Sequence, residues 1–454
     1  MRIYDTSKRE MVDFKPSDPE DIRIYACGPT VYDRIHLGNA RSSVVFDLLR
    51  RVLVEEYGDV VTYAQNITDV DDKINARARE LGVEIGELTE ETSAWFNQDV
   101  SELGVMTPDI QPRATDSISA IIRSISDIMT NGHAYVSTGE DGQKHVFFDV
   151  ASDPDSGKLF RAGMTGIVPE GEPSFGMRKR NPSDFVLWKP SAPDQPSWPS
   201  PWGDGRPGWH IECSAMISEA FGERGVDIHA GGSDLQFPHH ENEAAQHRCS
   251  HPGHQIAGHW MHNGMITVNG QKMSKSLGNF TTVRDVLDRG YGGDAVRLSL
   301  LSSHYGNSLD WSDELLNASR STIRKWKEVA EGAKPEVDED IRGHLMNDLM
   351  TPMVIARMHE LHKAGDFGKL SYGMSLMGLD DASPEPELVV SNETMERLHE
   401  IISERATARK DKNWALSDEL RDEAREIGFT LRDKGDITEW EYVGVPADDP
   451  SPEP

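Results

Sequence analysis

The sequence predicts an α/β protein, a doubly wound parallel sheet that carries an inserted domain and is followed by an α-helical C-terminal region. Three observations predict it. Ile22 to Ala26 reads as a short buried strand that breaks at Gly28-Pro29. Val44, Val45, Leu48, Leu49, Val52 and Leu53 then recur at helical spacing until Gly58, and a second strand signal covers Val60 to Ala64. Strand, loop, helix and strand in that order form a parallel βαβ unit, whose ligands bind at the carboxyl ends of its strands. The second observation is a change of pattern between about residues 116 and 205. There Ala134 to Thr138 and His145 to Val150 flank Gly139-Glu140-Asp141-Gly142 as a hairpin, before a run through Pro190, Pro193, Pro196, Pro199 and Pro201. This is the expected insertion. The sheet signal returns at Val226 to Ala230, and Met265 to Val268 is turned by Asn269-Gly270, a strong hairpin signal. The third observation is helical periodicity beyond about residue 312. Met395, Leu398, Ile401 and Ile402 share one face, and Leu416, Leu420, Ala424 and Ile427 another, before Gly428 stops the helix. The expected boundaries are therefore 1–115 and 206–265 for the two halves of the sheet domain, 116–205 for the insertion, 266–315 for the segment after it, 316–390 for a helical bundle and 391–454 for a small C-terminal module with a frayed acidic tail.

The chain has 454 residues, enough for about two to four domains with proper cores. No window approaches 18 consecutive apolar residues, and the N-terminal stretch lacks an apolar core, so a soluble cytoplasmic protein is expected. Three cysteines, Cys27, Cys213 and Cys249, cannot build a disulfide framework in this length and are left as metal ligands, a nucleophile or small buried hydrophobes. With 77 acidic residues against 47 Lys and Arg, the formal charge is −30. Such acidity suits either a protein that avoids polyanions or a halophile, whose cytoplasm of molar salt cuts the Debye length to about 3 Å. At ordinary salt it argues against a nucleic-acid partner. The motifs below demand an anionic partner, which favours the halophile reading.

Two motifs carry that demand. The loop Cys27-Gly28-Pro29-Thr30-Val31-Tyr32-Asp33-Arg34-Ile35-His36-Leu37-Gly38-Asn39 leads into a helix, where unpaired N–H groups and positive potential favour phosphate and Gly38 permits close backbone approach. Alone, the His-x-Gly-Asn tetrad is weak evidence and reads more simply as a helix-capping turn. Lys272-Met273-Ser274-Lys275-Ser276 follows the Asn269-Gly270 turn; two Lys in such a loop suit a clamp on a polyphosphate whose charge develops during nucleotidyl transfer. Its alternative is a solvated basic turn. A metal site is a third possibility. His239 and Glu243 are four apart, so on a helix they project from one face, and a set mixing thiolate, imidazole and carboxylate suits zinc. Spacing leaves many histidines open: His229, His239, His240, His247, His251, His254, His259 and His262 are all candidates.

Taken together, the two motifs resemble the paired signatures of class I aminoacyl-tRNA synthetases. The segments CGPTVYDRIHLGNAR, NITDVDDK, DFVLWK, GWHIECSAM, GGSDLQFPHHENE, WMHNG and GQKMSKSLGNF are similar to those of cysteinyl-tRNA synthetases. A weaker likeness runs through ERATARKDKNWALSDELRDEAREIG, so the resemblance spans about residues 20 to 440. It implies a Rossmann-type catalytic domain with a connective insertion, a stem-contact region around the Lys-rich loop and a C-terminal anticodon-recognition module. It implies a ligase that activates cysteine with ATP and Mg(2+) to cysteinyl-adenylate and transfers it to the 3′-terminal adenosine of tRNA(Cys), as a monomer. It further implies one Zn(2+) per chain, held by Cys27, Cys213, His239 and Glu243, with Cys249 outside the site. ATP is expected at Thr30, His36, Gly38, Asn39, Lys272 and Lys275, with His36, Lys272 and Lys275 as the catalytic groups. Thr68, Trp209, His229 and Asp234 match positions around the substrate cysteine. One departure is visible: the first signature ordinarily ends in His, and Asn39 cannot carry a proton. Zinc would explain selection, because a pocket relying on shape rejects an isosteric hydroxyl analogue only about a hundredfold, whereas a soft metal binds thiolate far better than hydroxyl.

Other residues read less sharply. Asp69, Asp71 and Asp72 suit either magnesium or, more simply, an acidic helix N-terminus. Arg178, Lys179 and Arg180, and then Arg405, Arg409, Lys410 and Lys412, form basic clusters that could face RNA. Three rivals are weighed: a cysteine ligase with an amino-sugar acceptor, a zinc hydrolase, and a non-catalytic RNA-binding regulator. The first would not need the helices from 390 to 428, the second lacks the His-Glu-x-x-His order, and the third would leave intact active-site segments idle.

Overall fold

The computed structural model describes residues 1–139, 142–160, 179–273, 277–385, 392–434 and 437–442. Its centre is a four-stranded, wholly parallel sheet. The strands are β1 (Ile22–Ala26), β2 (Val61–Gln65), β3 (Val226–Gly232) and β4 (Ala257–Asn263), in the spatial order β4-β3-β1-β2. All four are almost continuously buried, as a parallel sheet covered on both faces requires. The chain leaves β1 toward β2 on one side and later lays β3 on the other, so the switch point lies at the carboxyl ends of β1 and β3. Cys27 sits there, its N–H donating to Ala230 O across 2.9 Å.

The helix α1 (Leu37–Tyr57) joins β1 to β2 and packs on the sheet through Leu37, Ala40, Val44, Val45, Leu48, Leu49, Val52 and Leu53, all buried. Gly58 ends it with a positive φ of 80°, its N–H returning to Val54 O. Arg41, on the same helix, is fully buried and donates to the carbonyls of Gly264, Met265, Asn307 and His304 and to Ser303 Oγ, which ties α1 to the segments after β4.

The insertion is an antiparallel sheet of Ala134–Thr138, Lys144–Phe148, Phe185–Lys189 and Arg206–Pro207, in chain order. Its expected hairpin forms, though residues 140 and 141 of the turn lie outside the described residues. The insertion's core, with Ile121, Ile125, Phe148, Phe185 and Trp188, continues into Ile211 and Ala215 of α2 (Trp209–Phe221). The opposite face of α2 packs Cys213, Met216 and Ile217 against Cys27 and Trp260. One helix thus joins the insertion to the sheet.

Beyond β4 the Asn269-Gly270 turn forms as expected, with φ of 53° and 73° and Thr267 opposite Lys272. The strand Ile266–Val268 also pairs in parallel with Leu309–Trp311, a long-range contact that local patterning does not signal. Helices dominate from Asp313 to Glu426, and Leu398, Ile401, Leu420 and Ala424 close the C-terminal core with Phe429 and Leu431. Leu416, on the helix face it shares with Leu420 and Ala424, is exposed, and after Gly428 the module ends in a hairpin of Phe429–Lys434 with Ile437–Tyr442 that the sequence reading did not include. The acidic tail, 443–454, falls outside the described residues. No helix among them is long and apolar enough to cross a membrane.

Candidate metal centre and nucleotide cleft

Four side chains from distant parts of the chain meet at the switch point. Cys27 follows β1, Cys213 projects from α2, and His239 and Glu243 flank the start of α3 (Glu241–Ser250). Their donor atoms all lie within 4.8 Å of one another, and all four residues are buried. Cys27 Sγ stands 3.7 Å from Cys213 Sγ and 3.7 Å from Glu243 Oε1, and His239 Nε2 is 2.9 Å from that same oxygen. Two sulfurs bound at about 2.3 Å to one tetrahedral ion sit about 3.8 Å apart, so this donor set fits zinc in kind and in spacing.

The electrostatics of the bare cluster point the same way. Burial, helped by Cys213 and Glu243, pushes the Cys27 thiol well above its ordinary range, while the hydrogen bond from Cys27 holds Cys213 down to about 6. Burial opposes charge on His239, yet Glu243 and Cys213 together raise it to about 10. Burial likewise opposes charge on Glu243, and His239 and His229 overcome it. Negative charge is thus concentrated at the focus of the four residues, with protons held nearby.

Around this centre, Trp209 stacks on His239, ring centroids 4.2 Å apart and 16° from parallel, lies 5.2 Å from the His210 ring and is 40% exposed. His229 is buried and its Nε2 meets Glu243 Oε2 at 2.7 Å. Thr68 is buried, accepts at Oγ1 from Asn66 Nδ2 at 3.2 Å, and pairs in parallel with Thr30. Asp234 lies exposed after β3, its carboxylate folded back toward Gly232. Cys249 is buried away from the cluster, with its thiol pushed up to about 12 by burial.

The loop after Cys27 ends at His36, the N-cap of α1. Its Nδ1 accepts from Gly38 N at 3.0 Å and Asn39 N at 3.4 Å, so the capping role is real and engages two of the expected ATP-site residues. His36 also pairs with Thr282, Leu37 N donates to Thr281 O, and Val283 N donates to Ile35 O. The segment leaving the Lys-rich loop is therefore stitched to the entry of α1. Of that loop, Lys272 lies in the strand Gln271–Lys272, and Lys275 lies outside the described residues.

Residues not singled out in the sequence complete the centre. Asn66 Oδ1 accepts from Gly28 N at 2.9 Å and lies 3.8 Å from Cys213 Sγ. A Cβ on Gly28 would fall 1.7 Å from Asn66 O, which explains that glycine. His210 Nδ1 meets His239 Nδ1 at 2.9 Å, and burial lowers His210 to about 3. Asn66 stands in NITDVDDK and His210 in GWHIECSAM, so motif membership was the available signal. Among the alternatives, Asp71 caps the helix Asp72–Leu81, Asp72 pairs with Lys189 and Arg206, and Asp69 accepts from Thr115. Glu241 accepts from Gly157 N and Phe160 N. Of the basic clusters, Arg178 lies outside the described residues and Arg180 lies over the Tyr135 ring. Arg405 is buried on Asp433, which also takes Arg409.

Residues 13–321 match the family model of the class I tRNA synthetase (C) catalytic domain, and residues 391–440 match the cysteinyl-tRNA ligase anticodon binding domain. The chain belongs to the cysteinyl-tRNA synthetase family. Family members named cysteine–tRNA ligase include one from Methylocella silvestris, 47% identical over 97% of this chain and 99% of its own length. Another, from Ruegeria pomeroyi, is 44% identical over 95% and 93%. In fold the chain is similar to a methionyl-tRNA synthetase of Mycobacterium tuberculosis, with a TM-score of 0.54 at 16% identity over 90% of this chain and 89% of that one.

Proposed function

We propose that the chain is a cysteine–tRNA ligase: it activates cysteine with ATP to cysteinyl-adenylate and pyrophosphate, and passes the cysteinyl group to the 3′-terminal adenosine of tRNA(Cys) in the cytoplasm. The observation that carries this reading is the convergence of Cys27, Cys213, His239 and Glu243 at the sheet's switch point, beside the entry of α1. Zinc held there supplies a soft Lewis acid that prefers thiolate to hydroxyl, and so distinguishes cysteine from serine. Trp209, held against His239 and partly exposed, lines the amino-acid pocket with Thr68, His229 and Asp234. His36 fixes the turn that aims the first amides of α1, at Gly38 and Asn39, toward ATP phosphate, with Thr30 beside them. Lys272 and Lys275 stabilise charge developing on the departing pyrophosphate, and the substrate carboxylate is the nucleophile. Mg(2+) accompanies ATP.

In this reading residues 1–115 and 206–265 form the catalytic halves, 116–205 the connective insertion, 266–315 the stem-contact region, 316–390 a helical bundle and 391–454 the anticodon module of a monomer. An amino-sugar acceptor is not supported, since such a ligase has no use for the module matched at 391–440. The test is Cys213→Ser: bound zinc is lost and discrimination against serine erodes. Full zinc content with undiminished selectivity refutes the ligand set.

A further inference from the structure

We propose that Thr6, His262 and His240 form a one-way chain of hydrogen bonds that ends on the Cys27 sulfur and sets how that sulfur meets the metal. The inference rests on Cys27 being a ligand, as read above. Thr6 Oγ1 lies 2.6 Å from His262 Nδ1, His262 Nε2 lies 2.7 Å from His240 Nδ1, and His240 Nε2 lies 3.4 Å from Cys27 Sγ. The two rings are buried and wedged: His240 packs 4.4 Å from His229 and 5.3 Å from Trp260, and His262 meets Phe160 edge-on at 5.4 Å.

The sulfur end sets the direction, and the Thr6 end can follow it. A neutral imidazole donates at one nitrogen and accepts at the other, so each ring passes the sense of the chain along. At the sulfur end, a thiolate ligand can only accept, which puts hydrogen on His240 Nε2 and leaves Nδ1 bare. His262 must then donate from Nε2 and accept at Nδ1. At the far end the Thr6 hydroxyl has one proton and two acceptors in reach. The Trp260 carbonyl, 3.1 Å away, already receives the Thr6 backbone N–H at 2.9 Å, whereas His262 Nδ1 is closer and needs a donor. Thr6 therefore donates to His262, and every hydrogen points toward Cys27.

This arrangement answers a charge problem. Two thiolates and one carboxylate around a dication already leave a net charge of −1 in a buried site, before a substrate thiolate adds another. An N–H aimed at Cys27 Sγ draws density from that sulfur, and it fixes which lone pair faces the ion. His240, His262 and Thr6 are thus positioning residues. They also explain why two overlapping sets of donors occur here, since Cys27, His229, His240 and Glu243 lie within 4.8 Å of one another as well. In this reading His240 supports a ligand and is not one.

The experiment replaces zinc with cobalt(II) in the full-length protein and follows the sulfur-to-cobalt charge-transfer band and the metal affinity. In His240→Phe, with the fold checked by circular dichroism, one cobalt still binds, affinity falls roughly 10- to 100-fold, and the band moves to lower energy. Thr6→Val, far from the ion at the half-buried end of the chain, moves both in the same direction by less, and Thr6→Ser restores the native values. Unchanged affinity and band in both variants overturn the proposal, as does loss of a nitrogen ligand in His240→Phe, which would make His240 a ligand. Failure of the ligand reading looks different: the native protein would show no charge-transfer band, or Cys213→Ser would leave it unaltered.

Discussion

Gly28→Ala isolates how tightly the chain must pass the metal centre. The added Cβ would lie 1.7 Å from the carbonyl oxygen of Asn66, whereas real Cβ contacts stay beyond 3.0 Å, so something must move by at least about 1.3 Å. Neither side is a flexible side chain. Asn66 O is backbone directly after β2, and its side chain already holds Gly28 N and approaches Cys213. The displacement therefore falls on Cys27, whose sulfur sits 3.7 Å from Cys213. A misplacement near 1 Å costs about 10²-fold in rate, or roughly 2.7 kcal/mol of activation free energy. The assay is cysteine-dependent pyrophosphate exchange, with zinc content measured by atomic absorption and the fold checked by thermal melting. A folded variant that retains full zinc and exchanges within threefold of the native rate refutes the argument.

Lys275→Ala is expected to slow pyrophosphate exchange about 10²- to 10³-fold without altering the melting profile; near-normal exchange removes its assigned role. Arg41→Met leaves its buried carbonyl acceptors without their donor and should cost about 3 kcal/mol or more in urea unfolding, and a loss below 1 kcal/mol would show that water or relaxation replaces it. Asp433→Asn strands the buried Arg405 and should destabilise the C-terminal module by about 3 kcal/mol. Hydrogen bonding from Arg405 holds the Asp433 carboxyl far below its ordinary value, so its contribution is complete above about pH 4 and disappears as pH falls through the folded value. An acid titration of the module's ellipticity that is the same for the native protein and for Asp433→Asn would contradict this. In molar KCl, charging activity should persist, and its collapse would reject the halophile reading.

The sheet was legible because its signals are local and strong. Buried β1 and β2 flank a helix with unbroken apolar periodicity, and Asn269-Gly270 adopts the two positive φ angles that its residue types favour. The strand Leu309–Trp311 was not, because so short a strand depends on a partner distant in sequence, whereas the terminal hairpin Phe429–Lys434 with Ile437–Tyr442 was missed although Gly435-Asp436 between its two runs is a hairpin dipeptide. At the centre, spacing could show that His239 and Glu243 share a face, but eight histidines were open and only resemblance chose among them. What residue spacing could not show is the layer behind the four residues, for which motif membership was the one signal. Asn66, His210 and His262 reach the cluster through pairings set by the fold, and their type alone does not separate them from histidines and asparagines elsewhere on the chain.

Charge is where sequence and structure part most, and the difference bears on RNA. Read along the chain, Arg405, Arg409, Lys410 and Lys412 look like a basic patch that could offset a net charge of −30. Folded, Arg405 and Arg409 converge on Asp433, and Arg180 lies on Tyr135 with Asp149 3.6 Å away. Cations engaged within the protein release few counterions from RNA, so Arg180, Arg405 and Arg409 contribute little phosphate affinity and Lys410 and Lys412, both exposed, are left to supply it in that cluster. Trp414 and Trp440 in the 391–440 module are 59% and 42% exposed, and aromatic stacking is worth about 1–3 kcal/mol per base with little dependence on salt. An acidic surface and RNA recognition are therefore compatible when shape and stacking supply the affinity. That same arrangement is the one that loses least when salt screens every charge.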